Sequence, residues 1–453
     1  MTLYKGRIDA DQHGLMDAIN RSLPVDIRLL PYDVRTNKAW ATELQRLEIM
    51  SQQEYGDVIT ALDEIEKMGA SDAFHPLPPD EDVHTLVERL LTEKTGEVGA
   101  KIHTGRSRND QVVCDLRLFT AEWLTEIVAN LNSLIGVLAE LGEKHAEVLL
   151  PGTTHMQPAQ PITLGHFLLS LAFALVRDAE RFQDARVRVN KCPLGAGALA
   201  GSGFPVDRAR LAEDLGFDGV CENALDAISD RDFVQETVAA CAMVCTHLSR
   251  YAEQFVIWAN PAFGYIQFSD AWSTGSSMMP QKRNPDAMEL IRAKAARCIG
   301  LSTSILTLTK GLPLSYAKDL QEDKSLLFDA ADTATLCVKV FCEALRTARF
   351  SPQRMLKSLT GDLLATDLAD ALALRGVPFR RAHQMVAEWV TELEKQDRTP
   401  IDVAQAELME RFPQLQDTNF SLSYEASVAR RQTIGGASPD KVREQAAALK
   451  SGV

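Results

Sequence analysis

The stretch Thr274-Gly275-Ser276-Ser277-Met278-Met279-Pro280-Gln281-Lys282-Arg283-Asn284-Pro285-Asp286 gathers two hydroxyls, an ammonium and an amide into the nine residues from Ser276 to Asn284. Gly275 and the serines give a flexible start, and Pro280 prevents one continuous helix. Asn284 then stands where an N-cap belongs, with Pro285 at the first helical position and an apolar helical pattern following at Met288, Ile291, Ala295, Cys298 and Ile299. A helix start carries partial positive charge, and Lys282 and Arg283 add two full charges beside it. Such a set can hold a carboxylate and the negative charge that develops next to it. The plain alternative is a Ser/Gly-rich surface loop ahead of a well-capped helix.

Three further segments are polar where a helical protein should be apolar: Thr104 to Gln111, Pro151 to Pro161, and Tyr316 to Lys324. Each is expected to sit at a helix N-terminus, where backbone donors and the helix dipole favour anions. Singly, each reads as a solvated, capped helix start; together they outline an anion site drawn from distant parts of the chain. The Gly195-Ala196-Gly197-Ala198-Leu199-Ala200-Gly201-Ser202-Gly203 run has no strand before it and no βαβ unit around it, so it reads as a tight loop with close backbone approach rather than a dinucleotide site. No His/Cys/Asp cluster has metal-ligand spacing, no Gly-x-Ser-x-Gly elbow supports hydrolysis, and neither a metal nor a cofactor is expected.

The elements that must position these segments are long helices. Leu116, Thr120, Trp123, Leu124, Ile127, Leu131, Leu134, Ile135, Leu138 and Leu141 keep helical spacing without a proline, and Thr163–Val187, Asp232–Trp258, Asp286–Leu308 and Lys318–Ala348 behave alike. Asp33 to Leu62 and Glu81 to Glu97 also read as helical, separated by a break at His75-Pro76-Leu77-Pro78-Pro79. Alternating strand patterns are almost absent. The fold expected is all-α, with an N-terminal helical domain at 1–105, a central long-helix bundle at 106–350 and a small C-terminal helical domain at 351–453. Helices this long with few polar gaps need neighbours on most sides, which points to a bundle completed by other subunits.

Of the 453 residues 45% are hydrophobic, enough for a large core, and a net charge of −14 without a basic tract argues against nucleic-acid or membrane-surface binding. No run reaches the roughly 18 uninterrupted apolar residues of a membrane span. The first residues lack a signal peptide's apolar core, and the eight cysteines are scattered without a Cys-x-x-Cys pair, so a cytoplasmic protein with free thiols is expected.

The opening stretch fills every fixed position of the fumarase/aspartase superfamily signature Ser-Ser-x-Met-Pro-x-Lys-x-Asn-Pro. His103-Thr104-Gly105-Arg106-Ser107-Arg108-Asn109-Asp110, Thr154-His155-Met156-Gln157-Pro158-Ala159-Gln160-Pro161 and Lys318-Asp319-Leu320-Gln321-Glu322-Asp323-Lys324 are similar to argininosuccinate lyases in particular. So are Ser229-Asp230-Arg231-Asp232, Gly376-Val377-Pro378-Phe379-Arg380 and Ala426-Ser427-Val428-Ala429-Arg430-Arg431, a likeness that runs from about Ser22 to Gly436. The resemblance implies reversible elimination of argininosuccinate to L-arginine and fumarate, without cofactor, in a homotetramer whose sites are each shared by three subunits. By motif, Ser276 is the base, Lys282 and Asn284 hold the carboxylate as it becomes doubly charged, and Thr154 and His155 face the breaking bond, His155 being oriented by Glu289. Arg106, Ser107, Arg108 and Asn109 are the implied carboxylate binders; Ser22, Asp26, Arg231, Tyr316, Lys318, Gln321 and Lys324 are the implied substrate-arm contacts, and His84 and His103 are read as structural.

Three positions depart from the family wording: Leu3-Tyr4-Lys5-Gly6-Arg7-Ile8, the Thr36 and Asn37 that follow Asp33-Val34, and Thr153 two residues before the histidine. The N-terminal pair bears on the amine side of the pocket, which leaves a fumarate-releasing lyase of another N-substituted aspartate, of the ethylenediamine disuccinate type, as the alternative. Adenylosuccinate lyases share the Lys-Arg-Asn-Pro wording but not the Thr-Gly-Arg-Ser-Arg-Asn-Asp segment. A purely structural protein recruited from this fold, as lens δ-crystallins were, is expected to show damage at Ser276, His155 or Lys282, and all three are intact.

Overall fold

A computed structural model of the chain describes residues 13–71 and 80–452; the Leu3–Ile8 departure and the His75–Pro79 break lie outside them. Among the described residues the fold is all-α, with two short two-stranded sheets. The long helices are Arg108–Lys144, Leu164–Val189, Asp232–Ala259, Asp286–Thr309 and Asp323–Arg346. The last begins later than its pattern suggested, because Lys318–Glu322 winds as a 3₁₀ turn first. Two compact units emerge, the first from described residues within Met1–Val128, Glu180–Met243 and Ala296–Thr335, the second from Ala129–Ala179, Val244–Ala295 and Leu336–Val453.

Arg108–Lys144 has 37 residues, about 55 Å at ~1.5 Å per residue. Its apolar stripe, Leu116, Leu124, Ile127, Leu131, Leu134, Ile135 and Leu138, is buried at helical spacing. The helix is long and apolar enough by length and hydropathy to cross a membrane; a helix that sets such a stripe into a protein core meets the same criterion.

In the first unit, the stretch expected as one helix from Asp33 to Leu62 is two, Leu30–Arg46 and Gln52–Gly69. Glu48 adopts φ 58°, which ends the first helix, and Ser51 starts the second with a reciprocal cap. Ser51 Oγ accepts from Glu54 N at 3.3 Å, and the Glu54 carboxylate accepts from Ser51 N at 2.8 Å. Trp40, Leu44, Leu62, Ile65 and Leu86 are fully buried there, and Phe119 meets Phe328 edge-on at 4.7 Å.

In the second unit, the Pro151–Pro161 segment is not a helix start. Leu149–Thr154 (β1) and Gln157–Thr163 (β2) pair antiparallel, and the prolines sit in a ribbon only two strands wide, where missing donors are tolerated. His155 and Met156 form the two-residue turn with φ 53° and 60°, the left-handed pair that tightly linked strands require. An aromatic cluster holds the unit's core, with Phe167 4.4 Å from Trp258 and Phe255 5.9 Å from Phe341. A further core forms around Leu368, Val386, Trp389, Leu408 and Phe412, from Ala365–Leu374, Phe379–Glu394 and Gln405–Arg411.

The glycine-rich run is the tight loop its composition suggested. Gly195 and Gly197 have φ 85° and 62°, and a Cβ on Gly197 would stand 2.8 Å from Gly201 O. Their amides both point at one buried carboxylate, Asp110 Oδ2, at 3.1 and 2.9 Å. Gly197→Ala is expected to cost about 1–2 kcal/mol from the left-handed backbone alone, read as a lower denaturant midpoint with unchanged helical content.

Candidate active site

A cavity of about 400 Å³ opens in the first unit, and nine of the residues anticipated as substrate contacts line it: Ser22, Asp26, Ser107, Arg108, Asn109, Tyr316, Lys318, Gln321 and Lys324. They come from three separate stretches. Ser22 begins a short turn whose hydroxyl donates to Asp26 Oδ2 at 2.5 Å, while Asp26 Oδ1 accepts from Val83 N at 3.0 Å. Burial pushes the Asp26 carboxyl up, against the pull of His84 and the Ser22 hydroxyl. Ser107 caps the long helix: its Oγ accepts from Asn109 N at 3.2 Å, and Asp110 returns a carboxylate oxygen to Ser107 N at 3.0 Å. Asn109 donates to Ala198 O at 3.3 Å, and Ser202 Oγ to Gly105 O at 2.8 Å, so the glycine-rich loop and the helix start form one piece.

On the opposite side of the sequence, Lys318 pairs with Glu81 at 2.8 Å and Gln321 donates to Asn20 O at 3.0 Å. Lys324 is held by Asp323 at 3.1 Å, and Asp323 is in turn bonded by Arg231. Burial alone would raise the Asp323 carboxyl; Lys324 and Arg231 outweigh it and hold it below its ordinary value. Burial, with the Asp323 charge, pushes the Tyr316 phenol up to about 12, so it stays a neutral donor.

Four residues expected to bind substrate do not line this cavity: Thr154 and Asn284 belong to the second unit, and Arg231 and Arg106 spend their charge elsewhere. Arg231 is 2% exposed and spends its guanidinium on Asp323 and on Ile228 O and Asp230 O at 3.2 and 2.8 Å. It acts beneath Lys324. Arg106 is 8% exposed, donates to Asn37 Oδ1 at 2.8 Å and lies 5.9 Å from the Trp40 ring centre. Conversely the cavity wall includes Glu81, Asp82, Thr85 and Val112, which the sequence did not single out, and His84 and His103, which it read as structural. One local signal was present: Asp82 is the N-cap of Val83–Thr95, its Oδ1 accepting from Thr85 N at 2.7 Å, so Asp82-x-His84 marks another helix start.

The sequence showed no metal-like spacing, yet tertiary structure brings ligand atoms of Asp33, His84 and Asp115 within 4.8 Å of one another. Both Asp33 oxygens are already acceptors, from Gln111 Nε2 at 2.5 Å, Asn37 Nδ2 at 2.9 Å and His84 Nδ1 at 2.7 Å. Thr36 Oγ1 donates to Asp115 Oδ1 at 2.5 Å. Burial and the nearby Asp33 charge push Asp115 well up, so the cluster carries fewer negative charges than its two carboxyls suggest. This is a hydrogen-bonded charge network.

The second unit holds the expected chemical groups. Thr274 and Asn284 bridge the base of the loop, Asn284 N donating to Thr274 O at 2.8 Å and Thr274 N to Asn284 O at 3.3 Å. Thr274 Oγ1 also donates to Asp286 Oδ2 at 2.7 Å. The helix begins at Asp286, and Pro285 O accepts its first bonds, from Met288 N and Glu289 N. Asn284 is therefore not the N-cap; its amide instead reaches Thr274 Oγ1 and Gly275 O, each at 3.4 Å. Within the loop, Ser276 Oγ accepts from Met278 N at 3.2 Å and Met279 N at 3.0 Å. Two amides aimed at one oxygen favour negative charge there. Lys282 is exposed, and Arg283 is fastened to Phe268 O and Asp270, each at 2.6 Å. Thr154 and His155 are exposed at the hairpin tip, and Glu289 is 44% exposed with Arg292 3.9 Å away.

The signature loop and the helical fold define a lyase of the fumarase/aspartase superfamily, and a family model described as "Lyase" matches residues 6–300. A second model, "Argininosuccinate lyase C-terminal", matches residues 362–429. The chain is 44% identical over 443 residues to the argininosuccinate lyase of Herpetosiphon aurantiacus, covering 98% of each. It is 44% identical over 447 residues to that of Carboxydothermus hydrogenoformans, again covering 98% of each. Among solved structures, an EDDS lyase variant with bound fumarate superposes with a TM-score of 0.81 at 25% identity, over 94% of this chain and 86% of that one. The chain belongs to the argininosuccinate lyase family.

His103 supplies a pH test of the cavity wall. Burial, then the charges of Arg106 and Arg108, push its imidazole down to about 4 from 6.5. The unfolded chain therefore takes up this proton first, and the contribution to stability is lost as pH falls from about 6.5 through about 4. Asp110 has the opposite sign: burial raises it to about 6, so its contribution is lost as pH rises through that value. His103→Gln is expected to flatten the fall in Tm between pH 7 and pH 5, measured by calorimetry, relative to the parent protein.

Proposed function

We propose that this protein cleaves argininosuccinate reversibly to L-arginine and fumarate, with Ser276 as the base that opens the reaction. The observation that carries the chemistry is the Ser276 hydroxyl, whose oxygen already accepts two backbone amides inside a Lys- and Asn-bearing loop. A serine hydroxyl is a weak base in water. Amide donors, the Lys282 ammonium and exclusion of water by loop closure stabilise its charged form and lower the cost of using it. In the elimination, Ser276 Oγ takes a proton from the succinyl carbon next to a carboxylate, and that carboxylate gains the electron pair as a doubly charged form held by Lys282 and Asn284. The pair then forms the carbon–carbon double bond of fumarate while the bond to the guanidino nitrogen breaks. His155, held outward by its turn, serves the leaving nitrogen with a proton, with Thr154 beside it and Glu289 as its orienting partner.

The cavity of the first unit suits the arginine end. Asp26 and Asp82 offer charge to a cationic group and Arg108 and Lys324 to a carboxylate, while Glu81 and Lys318 pair with each other. Arg106 supports this wall from behind. An amine of the ethylenediamine disuccinate type is the weaker reading, because the EDDS lyase likeness stands at 25% identity against 44% for the argininosuccinate lyases.

The working form is proposed as a homotetramer that assembles each site from three subunits. Support comes from Asp286–Thr309: Met288, Ile291, Ala295, Cys298 and Ile305 are buried on one face, while Ala293, Ala296, Gly300, Thr303 and Thr307 form an exposed small-residue face flanked by Ile299 and Leu306. Small residues at that spacing let another helix approach closely. A cytoplasmic place in arginine biosynthesis is proposed as well; all eight cysteines are free thiols, as a reducing compartment favours.

Mixing the purified protein with argininosuccinate and following fumarate absorbance tests the reading directly, and no fumarate from the folded protein would overturn it. Ser276→Ala is expected to lower kcat by about 10²–10⁴, and near-parental turnover would remove Ser276 from its role. Asp26→Ala is expected to raise KM for argininosuccinate more than it lowers kcat, in steady-state assays at pH 7.

A further inference from the structure

His84 is part of the cavity wall yet only 2% exposed. It follows the capped start of Val83–Thr95, so its ring is delivered by a rigid element. Nδ1 lies 2.7 Å from Asp33 Oδ1 and 3.3 Å from Asp115 Oδ2. Facing two carboxyl oxygens, Nδ1 carries a proton and donates it, which fixes the plane of the ring. The Asp33 end of that bond is itself immobilised by Gln111 and Asn37, and Asn37 by Arg106. Four side chains from two helices, backed by Arg106 just ahead of the second, thus hold one imidazole in place. The other ring nitrogen, Nε2, is buried and has no hydrogen-bond partner among the described residues. Leaving a buried polar atom unmatched is unfavourable, and an atom oriented this firmly is suited to a partner that arrives with the ligand.

A metal ion does not account for the cluster. Asp33 already accepts three hydrogen bonds, and the buried Arg106 guanidinium one residue beyond Asn37 supplies the positive charge that a cation would bring. The neighbouring wall decides the kind of partner. Glu81 is taken up by Lys318, but Asp26 and Asp82 line the same cavity within electrostatic reach of His84, so this side favours a cationic N–H donor, not an acid.

We propose that His84 is a specificity-determining residue that contacts the amine half of the substrate, its Nε2 lone pair accepting an N–H from the cationic arginine end while Nδ1–H stays anchored on Asp33. This rests on the arginine-end reading of the cavity given above. The acceptor is directional, so it ranks cations by N–H geometry where Asp26 ranks them by charge.

His84→Asn retains a side-chain amide close to Nδ1 and removes Nε2; His84→Gln places its amide nearer Nε2. Steady-state kinetics in both directions, with calorimetric titration of L-arginine into each protein, separate the possibilities. His84→Asn is expected to raise KM for argininosuccinate and for arginine about tenfold, with kcat and KM for fumarate within about twofold, and His84→Gln to recover part of the loss. Unchanged arginine affinity in a folded His84→Asn protein would overturn the proposal. So would equal losses for arginine and fumarate together with a lowered Tm, which would assign His84 to support of the fold alone. Arginine titration needs no turnover: a parent protein that binds arginine through His84 but releases no fumarate from argininosuccinate would retain this inference and refute the proposed reaction.

Discussion

Asp323 has no exposed surface, and its carboxylate is met by the Arg231 guanidinium and the Lys324 ammonium. Removing Asp323 would leave two buried cations without a counter-charge, so both depend on this one carboxylate. The cavity is built on that constraint repeated. Asp110 gathers the amides of Ser107, Gly195 and Gly197, and Asp33 gathers His84, Gln111 and Asn37. In each case a buried carboxylate fixes the backbone or side chain that the cavity presents. A protein with a net charge of −14 thereby offers local positive charge to an anionic substrate without a basic surface.

The second unit uses backbone geometry instead. The hairpin turn holds His155 and Met156 in left-handed conformations that side chains seldom adopt, and Met156 is 75% exposed. Strain of this kind persists where the surrounding structure over-determines it, here a ribbon paired from Leu149 to Thr163. The serine loop is tied at its base by Thr274, Asn284 and Asp286 and is exposed along Ser277–Arg283.

The signature loop and the hairpin tip are exposed elements, whereas the cavity is built on buried ones. Cavity residues are locked by ion pairs and caps before substrate arrives, which lowers the ordering cost of binding. The loop and the hairpin tip present their side chains outward instead.

Periodicity alone determined the all-α class and the five long helices, because an apolar residue every three or four positions has one efficient way to bury itself. The glycine-rich loop and the polar character of the four segments were legible for the same local reason. The signature strings identified the superfamily, since seven fixed residues in a ten-residue string rarely coincide by chance. The break at Glu48, the turn at His155-Met156 and the cap at Pro285 were not legible: each depends on a backbone conformation that neighbouring strands or helices impose. Nor could sequence place Arg106 and Arg231 behind the cavity wall, or His84 and His103 on it. A residue's type fixes what it can donate or accept, but which face of a helix meets the cavity is settled only when distant carboxylates such as Asp33 and Asp323 claim their partners.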